Sequence, residues 1–164
     1  ELQDFPTRTF YRNAGKTDRR GIEIYWELKK NSWHWLASFN YAAIEFKDYK
    51  LDEETLSGNK LPGIPKQQFF ASLSYNFNSG WGVMSQNQYC GSIYSDDANQ
   101  NKVSPYFLSN LKIWKPYDNF EIFGGINNLF DRKYNDNIRI NAWGKRYYEP
   151  APTRNFYFGI SYTI

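Results

Sequence analysis

The sequence predicts an all-β fold, an antiparallel up-and-down meander of about seven or eight strands that forms part of a transmembrane β-barrel. Three observations predict it. Apolar and polar residues alternate with a period of two along most of the chain. The links between alternating segments are short and long in turn. Aromatic residues make up 20% of the 164 residues.

Alternation is clearest in residues 153–164, where Phe156, Phe158, Ile160, Tyr162 and Ile164 share one face and Asn155, Tyr157, Gly159, Ser161 and Thr163 the other. That is the pattern of a strand with one apolar and one mostly polar or small side. Residues 33–46 set Trp33, Trp35, Ala37, Phe39, Tyr41 and Ala43 against His34, Ser38, Asn40 and Ala42, with Leu36 and Ile44 breaking the polar face. Residues 17–29 set Ile22, Ile24, Trp26 and Leu28 against Gly21, Glu23, Tyr25 and Glu27. Residues 67–77 set Phe69, Ala71, Leu73, Tyr75 and Phe77 against Ser72, Ser74 and Asn76. Less regular alternation predicts strands over 81–94, 106–115 and 120–129, and an opening strand near 9–13.

The links add the barrel. Lys29-Lys30-Asn31-Ser32, Asn78-Ser79-Gly80 and Lys115-Pro116-Tyr117-Asp118-Asn119 are turn-rich and tight, as hairpin connections are. Residues 47–66, 95–105 and 130–152 are long links between them. In a meander, successive links fall at opposite ends of the sheet, so short turns gather on one rim and long loops on the other. Outer-membrane barrels are built this way. Trp33 and Trp35 follow one short turn, Trp81 follows another, and Trp114 and Phe120 flank the third, which predicts an aromatic girdle at that rim.

Composition excludes other classes. Phe, Tyr and Trp number 13, 14 and 6 against a single Met, whereas an ordinary soluble core relies more on aliphatic side chains. Mean hydropathy is −0.75, too low for a helical membrane protein, yet compatible with a barrel whose lumen and loops are polar. The net charge of +3 comes from 20 basic and 17 acidic residues spread along the chain, with no basic stripe to bind nucleic acid. Cys90 is the one cysteine; it reads as a small strand residue rather than a reactive thiol. The first residues, 1–9, contain no initiator Met and read as the middle of something longer.

Four elements in order then carry a resemblance. Asn127-Asn128-Leu129-Phe130-Asp131-Arg132-Lys133-Tyr134 follows a strand ending Phe123-Gly124-Gly125-Ile126, and Tyr148-Glu149-Pro150-Ala151-Pro152-Thr153-Arg154 leads into the last strand. Upstream stand Asn13-Ala14-Gly15-Lys16-Thr17-Asp18-Arg19-Arg20-Gly21-Ile22-Glu23 and Leu56-Ser57-Gly58-Asn59-Lys60-Leu61-Pro62-Gly63-Ile64-Pro65-Lys66. Together they resemble the C-terminal β-barrel portion of TonB-dependent outer-membrane receptors. These are turn and strand-end residues with structural work. Pro150 and Pro152 fix the descent into the last strand, Asn127 and Asn128 bond local backbone, and Gly21, Gly124 and Gly125 permit bending or close approach.

The resemblance implies that residues 1–164 are the C-terminal segment of a receptor barrel in the bacterial outer membrane, its plug domain absent from this chain. The family's barrels have 22 strands, so an isolated piece leaves two sheet edges that need partners. It also implies partners: the rest of the barrel and the plug, TonB through the missing N-terminal part, outer-membrane lipid, and a metal chelate, typically a ferric siderophore. No cofactor is implied. Family barrels usually finish on an aromatic residue, and here the last residue is Ile164.

The chemistry of an enzyme is missing from the pattern. His34, the only histidine, sits beside a tight turn between two Trp and reads as a satisfied strand-end residue rather than a catalytic base. Asp52-Glu53-Glu54 and Asp96-Asp97 lie in long links without the spacing of a calcium site, and read as solvated carboxylates. No phosphate loop, CxxC or HExxH pattern occurs. Two functions remain: a receptor and transporter, or a soluble all-β ligand-binding module, for instance one for carbohydrate.

Two further expectations follow. Ile22, Ile24, Trp26, Phe39, Tyr41, Leu73, Tyr75, Phe158 and Ile160 should line one lipid-directed face, with Glu23, Glu27, Asn40, Ser72, Ser74, Asn76, Tyr157 and Ser161 opposite. A lysine at position 160 should then cost about 2–4 kcal/mol if that site is near the midplane. Ligand contact should fall on the long-loop rim, where Arg139, Trp143, Lys145, Arg146 and Tyr147 combine positive charge with flat rings. That mixture suits an anionic, partly aromatic chelate; otherwise Arg139 and Arg146 pair with loop carboxylates and hold the loop's shape.

Overall fold

A computed structural model describes residues 2–5, 8–11, 15–51, 53–142, 144 and 148–163. Seven antiparallel strands form one sheet: β3 (Lys16–Lys30), β4 (Trp33–Asp48), β7 (Gln67–Asn76), β8 (Gly82–Cys90), β11 (Tyr106–Tyr117), β12 (Phe120–Asn127) and β15 (Asn155–Tyr162). Each pairs with its neighbour in chain order, so the sheet is the expected meander, edged by β3 and β15. Among the described residues, the remaining strands form four separate hairpins. The first joins β1 (Leu2–Phe5) to β2 (Arg8–Tyr11), so the opening strand pairs outside the main sheet; part of the range expected for it, residues 12–13, lies outside the described residues. The other three sit within or beside the long links: β5 (Lys50–Leu51) with β6 (Glu54–Thr55), β9 (Ile93–Tyr94) with β10 (Lys102–Val103), and β13 (Asn135–Ile138) with β14 (Tyr148–Pro150).

Turn chemistry explains the tight rim. Asn31 (φ 53°), Gly80 (φ 84°) and Asp118 (φ 36°) take left-handed backbone conformations, which Gly, Asn and Asp tolerate best. The third turn is shorter than the sequence suggests, because β11 runs on through Pro116, opposite Glu121. Proline is tolerated at such a strand end. In the other direction β8 stops at Cys90, four residues before the expected end, and the chain re-pairs as β9.

The registers fix the two faces, because directly paired residues point the same way. One row reads Ile24–Phe39–Phe69–Tyr89–Phe107, the next Leu28–Trp35–Leu73–Ser85–Leu111–Ile126–Phe156, and another Ile122–Ile160. The alternate rows are polar or charged: Glu27–Leu36–Ser72–Gln86–Asn110 and Glu23–Asn40–Gln68–Cys90–Tyr106. All nine apolar residues expected on one face are there, and all eight expected opposite them are opposite. Ile22 and Phe158 are 61% and 73% exposed; such a face is stable only against an apolar environment.

Two rows depart from the pattern. Ser85, Asn87 and Ser109 lie on the apolar face, where Asn87 Nδ2 donates to Ser85 Oγ at 3.1 Å and Ser109 Oγ to Asn87 Oδ1 at 2.9 Å. The mutual bonds satisfy polar groups that would otherwise be costly there. Trp114, expected in the girdle, faces the other way: it is in register with Gly82 and Phe123, and its ring fills the space a Cβ at Gly82 would take. The girdle is otherwise present. Trp33 packs on Tyr75 at 4.5 Å between ring centroids, Tyr75 on Phe77 at 4.7 Å and Tyr117 on Phe120 at 5.6 Å. Lys115 lies over the rings of Trp81 and Tyr117.

Candidate functional site

The loop rim is built as a single layer. Phe46, Tyr49 and Leu56 form a buried cluster beneath the first long loop, with Leu51, Leu61 and Ala98 packed on it. Cys90, Ile93 and Val103 form a second, joined by Tyr106 and Ile138. Polar bonds then tie the loops together. Asp97 accepts from Tyr49 Oη at 3.2 Å and from Asn141 Nδ2 at 2.9 Å, and its own N–H donates to Asn141 Oδ1. Asn59 Nδ2 donates to Asp97 O, and Asn99 exchanges bonds with the Lys60 backbone in both directions. Asp96 is buried and accepts the N–H groups of Gln100 and Asn101. Asp96 and Asp97 are therefore fasteners of the rim, where the sequence alone reads them as solvated carboxylates; Asp52 lies outside the described residues.

The two C-terminal motifs clasp each other. Asn128 is buried and left-handed (φ 53°); its amide accepts from Arg132 N at 2.8 Å and donates to Arg132 O. Asp131 Oδ1 accepts from Arg154 N at 2.9 Å, and Asn127 Nδ2 donates to Asn155 Oδ1. The clasp sets where β12 leaves the sheet and where β15 rejoins it. Gly125 is required by close approach, since a Cβ there would meet Leu111 O and the Tyr157 ring.

Of the residues expected to meet ligand, Arg139 is described and Trp143, Lys145, Arg146 and Tyr147 lie outside the described residues. Arg139 donates to Glu149 Oε1 through Nε at 2.8 Å and Nη2 at 2.7 Å, while Asn137 Nδ2 holds Oε2 at 2.9 Å. The hydrogen bond from Asn137, then that from Arg139 with its charge, holds the Glu149 carboxyl below its ordinary range. A depressed carboxyl contributes stability above its unfolded pKa and loses it as pH falls through the folded one. Hydrogen-exchange protection of the β13–β14 hairpin is therefore expected to be level from neutral pH down to the ordinary glutamate range and to fall below it. In Glu149→Gln the acid-induced loss should disappear; an unchanged profile would show that another group governs it.

Sequence reasoning missed a neighbouring cavity. Tyr106, Tyr134, Tyr148, Arg132 and Lys133 are among the residues lining a 390 Å³ space between the second and third long loops. The rings of Tyr106 and Tyr134 pack at 4.6 Å between centroids, tilted by 42°. Burial, with the Asp136 carboxylate adding to it, pushes the Tyr134 phenol up. Arg132 and Lys133 have no ion-pair partner among the described residues. Both belong to the C-terminal motif, but their joining Tyr106 depends on the fold.

On the polar face, Glu27 gathers Tyr25 Oη at 2.9 Å, His34 Nε2 at 2.7 Å and Lys29 Nζ at 2.9 Å. His34 is thus a paired strand-end residue, as its position suggests. Glu23, Tyr25, Asn40, Gln68 and Gln88 line part of an open 680 Å³ concavity nearby.

Comparison with known proteins gives the frame for this geometry. Residues 2–129 match the family model described as TonB dependent receptor-like, beta-barrel. Pesticin receptors of Yersinia enterocolitica and Yersinia pestis are 27% identical over 128 residues, 74% of this chain and 18% of theirs. The chain thus spans about a fifth of the length of these relatives. Among solved structures, the siderophore receptor PiuA from Acinetobacter baumannii superposes with a TM-score of 0.79 at 22% identity, over 98% of this chain and 24% of that one. The ferric yersiniabactin uptake receptor FyuA from Yersinia pestis gives 0.75 at 23%, over 90% and 23%. These two share the fold. The apolar outward face, the polar inner face, the sorted rims and the family match agree, and the chain belongs to the β-barrel family of TonB-dependent receptors.

Proposed function

We propose that this chain forms part of the wall and outer loops of a bacterial outer-membrane transporter that takes up a metal chelate, with a ferric siderophore as the best-supported cargo. The observation that carries the reading is the division of one sheet into an exposed apolar face and a polar face crowned by basic and aromatic loop residues. Relatives named as siderophore and ferric-chelate receptors support it. Residues 1–164 are the C-terminal segment of the barrel on this reading. The free edges of β3 and β15 pair with the remaining strands, the polar face meets the plug, and TonB acts through parts of the receptor beyond this chain. Family members are receptors and transporters, not enzymes. The alternative of a soluble carbohydrate-binding module finds no support in a face this apolar.

Ligand contact is proposed at the loop rim. Trp143, Arg146 and Tyr147 are the residues proposed to meet the chelate, because guanidinium groups pair with carboxylate or catecholate oxygens and rings stack on the ligand; the described cavity of Arg132, Lys133 and Tyr134 offers the same chemistry. Arg139 is included for its position, although Glu149 already engages it. The test uses the full-length receptor with Arg139, Trp143 and Arg146 replaced by alanine. Binding of a panel of ferric catecholate, hydroxamate and carboxylate chelates is measured at two salt concentrations. Affinity for the cognate chelate should fall about tenfold or more, with a weaker salt dependence. Unchanged affinity in a correctly assembled barrel would remove the loop from the site.

A further inference from the structure

A second cavity lies at the upper end of β4, where residues of the first and second long loops meet it. It measures 320 Å³, with Tyr41, Ala43, Leu61 and Ile64 contributing apolar lining and Lys60, Lys66 and Lys102 contributing three ammonium groups. The registers show which way it faces. Tyr41 is in register with Ile22 and Gln67 on the apolar face, and Lys60 bridges Glu45, two residues from Ala43 on that same face. Tyr94 and Lys102 are paired and point away from Ile93 and Val103, which pack with Cys90 on the polar side. Lys60 and Lys102 therefore stand on the outward surface, and the ammonium group of Lys66, lying over the outward ring of Tyr41, joins them above the row Ile24–Phe39–Phe69–Tyr89–Phe107.

The charge at this level is uneven. Lys60 is paired with Glu45 at 2.7 Å. Lys66 lies 5.4 Å from the centroid of the Tyr41 ring and Lys102 5.4 Å from that of Tyr94. Neither has a carboxylate partner among the described residues. Rings hold these two ammonium groups at the upper edge of an apolar band, with a partly enclosed apolar cleft between them. Where such a band meets the membrane boundary, the chemistry selects an amphiphile: a phosphate between the ammonium groups, and acyl chain running down the exposed rings.

We propose that this cleft binds the phosphorylated headgroup of an outer-leaflet lipid. The proposal rests on the outward face meeting lipid and is independent of what the receptor transports. The test uses the full-length receptor and native mass spectrometry. Diphosphorylated lipid A is the probe, with its dephosphorylated form and inorganic phosphate as the other arms. Lys66→Gln with Lys102→Gln should weaken retention of the phosphorylated lipid about 30-fold, since each basic residue near such a surface contributes roughly a factor of five. Lys66→Arg with Lys102→Arg should keep it, and heat-modifiable gel mobility verifies that each variant assembles. The dephosphorylated lipid should bind the parent protein as weakly as the phosphorylated one binds the glutamine variant. Equal retention by parent and glutamine variant would overturn the proposal, as would equal binding of both lipids. Displacement of the lipid by millimolar inorganic phosphate would also overturn it, by making this a site for a free anion.

Discussion

Phe158→Lys is expected to destabilise the intact receptor by about 2–4 kcal/mol, and Ile160→Lys by about 1 kcal/mol or less. Both residues are on the apolar face of β15, where they are 73% and 65% exposed, so neither substitution disturbs internal packing. Depth makes the difference. Tyr162 is in register with Phe120 beside a short turn and marks the inner boundary. A strand tilted by about 40° climbs roughly 2.6 Å per residue across an apolar band about 25 Å tall. Phe158 therefore stands about 10 Å above the boundary, close to the midplane, whereas Ile160 is half as deep and its lysine can snorkel. This places the full cost expected at residue 160 two residues earlier in β15. Urea-dependent folding of the two variants into phospholipid vesicles gives the comparison. Equal costs at both positions would refute the depth assignment, and no cost at either would refute a lipid-facing β15.

Leu56→Ala should cost the loop layer about 2–5 kcal/mol. Leu56 is 1% exposed beneath the first long loop, against Phe46 and Tyr49, whose rings pack at 4.5 Å. The cluster is small and at the rim, so little around it can collapse into the space of the lost side chain. The effect should be local. Amides closing the cap, among them Leu56 to Tyr49 O, Gly58 to Phe46 O and Leu61 to Ile44 O, should exchange at least about 30-fold faster. Those between β11 and β12 should not change. If protection were lost across the whole sheet, the cap would not be a separate cooperative unit.

What the sequence reveals here depends on how far apart the interacting residues are. Strand faces are legible because a period of two needs only neighbours along the chain. β8 was less legible: Ser85 and Asn87 sit on the apolar face because Ser109, on the next strand, completes their bonds. Trp114 reads as a girdle residue from its place beside a short turn, but an aromatic ring is equally at home on either face, and Gly82 across the ladder decides its direction. Arg139 is visible as a loop cation, but its partner Glu149 is brought close by the register of the β13–β14 hairpin. Lys60, Lys66 and Lys102 are spread over two loops, and no local pattern joins them.

The bonds that knit the rim also carry information about time. Asn59 reaches Asp97 across 38 positions, Lys60 reaches Asn99 across 39, Asn141 reaches Asp97 across 44 and Tyr49 reaches Asp97 across 48. Each must draw together segments already separated by several strands, and the entropy of closing such spans is lowered only once the intervening hairpins are in register. The layer is thus expected to gain its protection only after the hairpins beneath it are paired, an order that pulse-labelled hydrogen exchange during refolding would read directly.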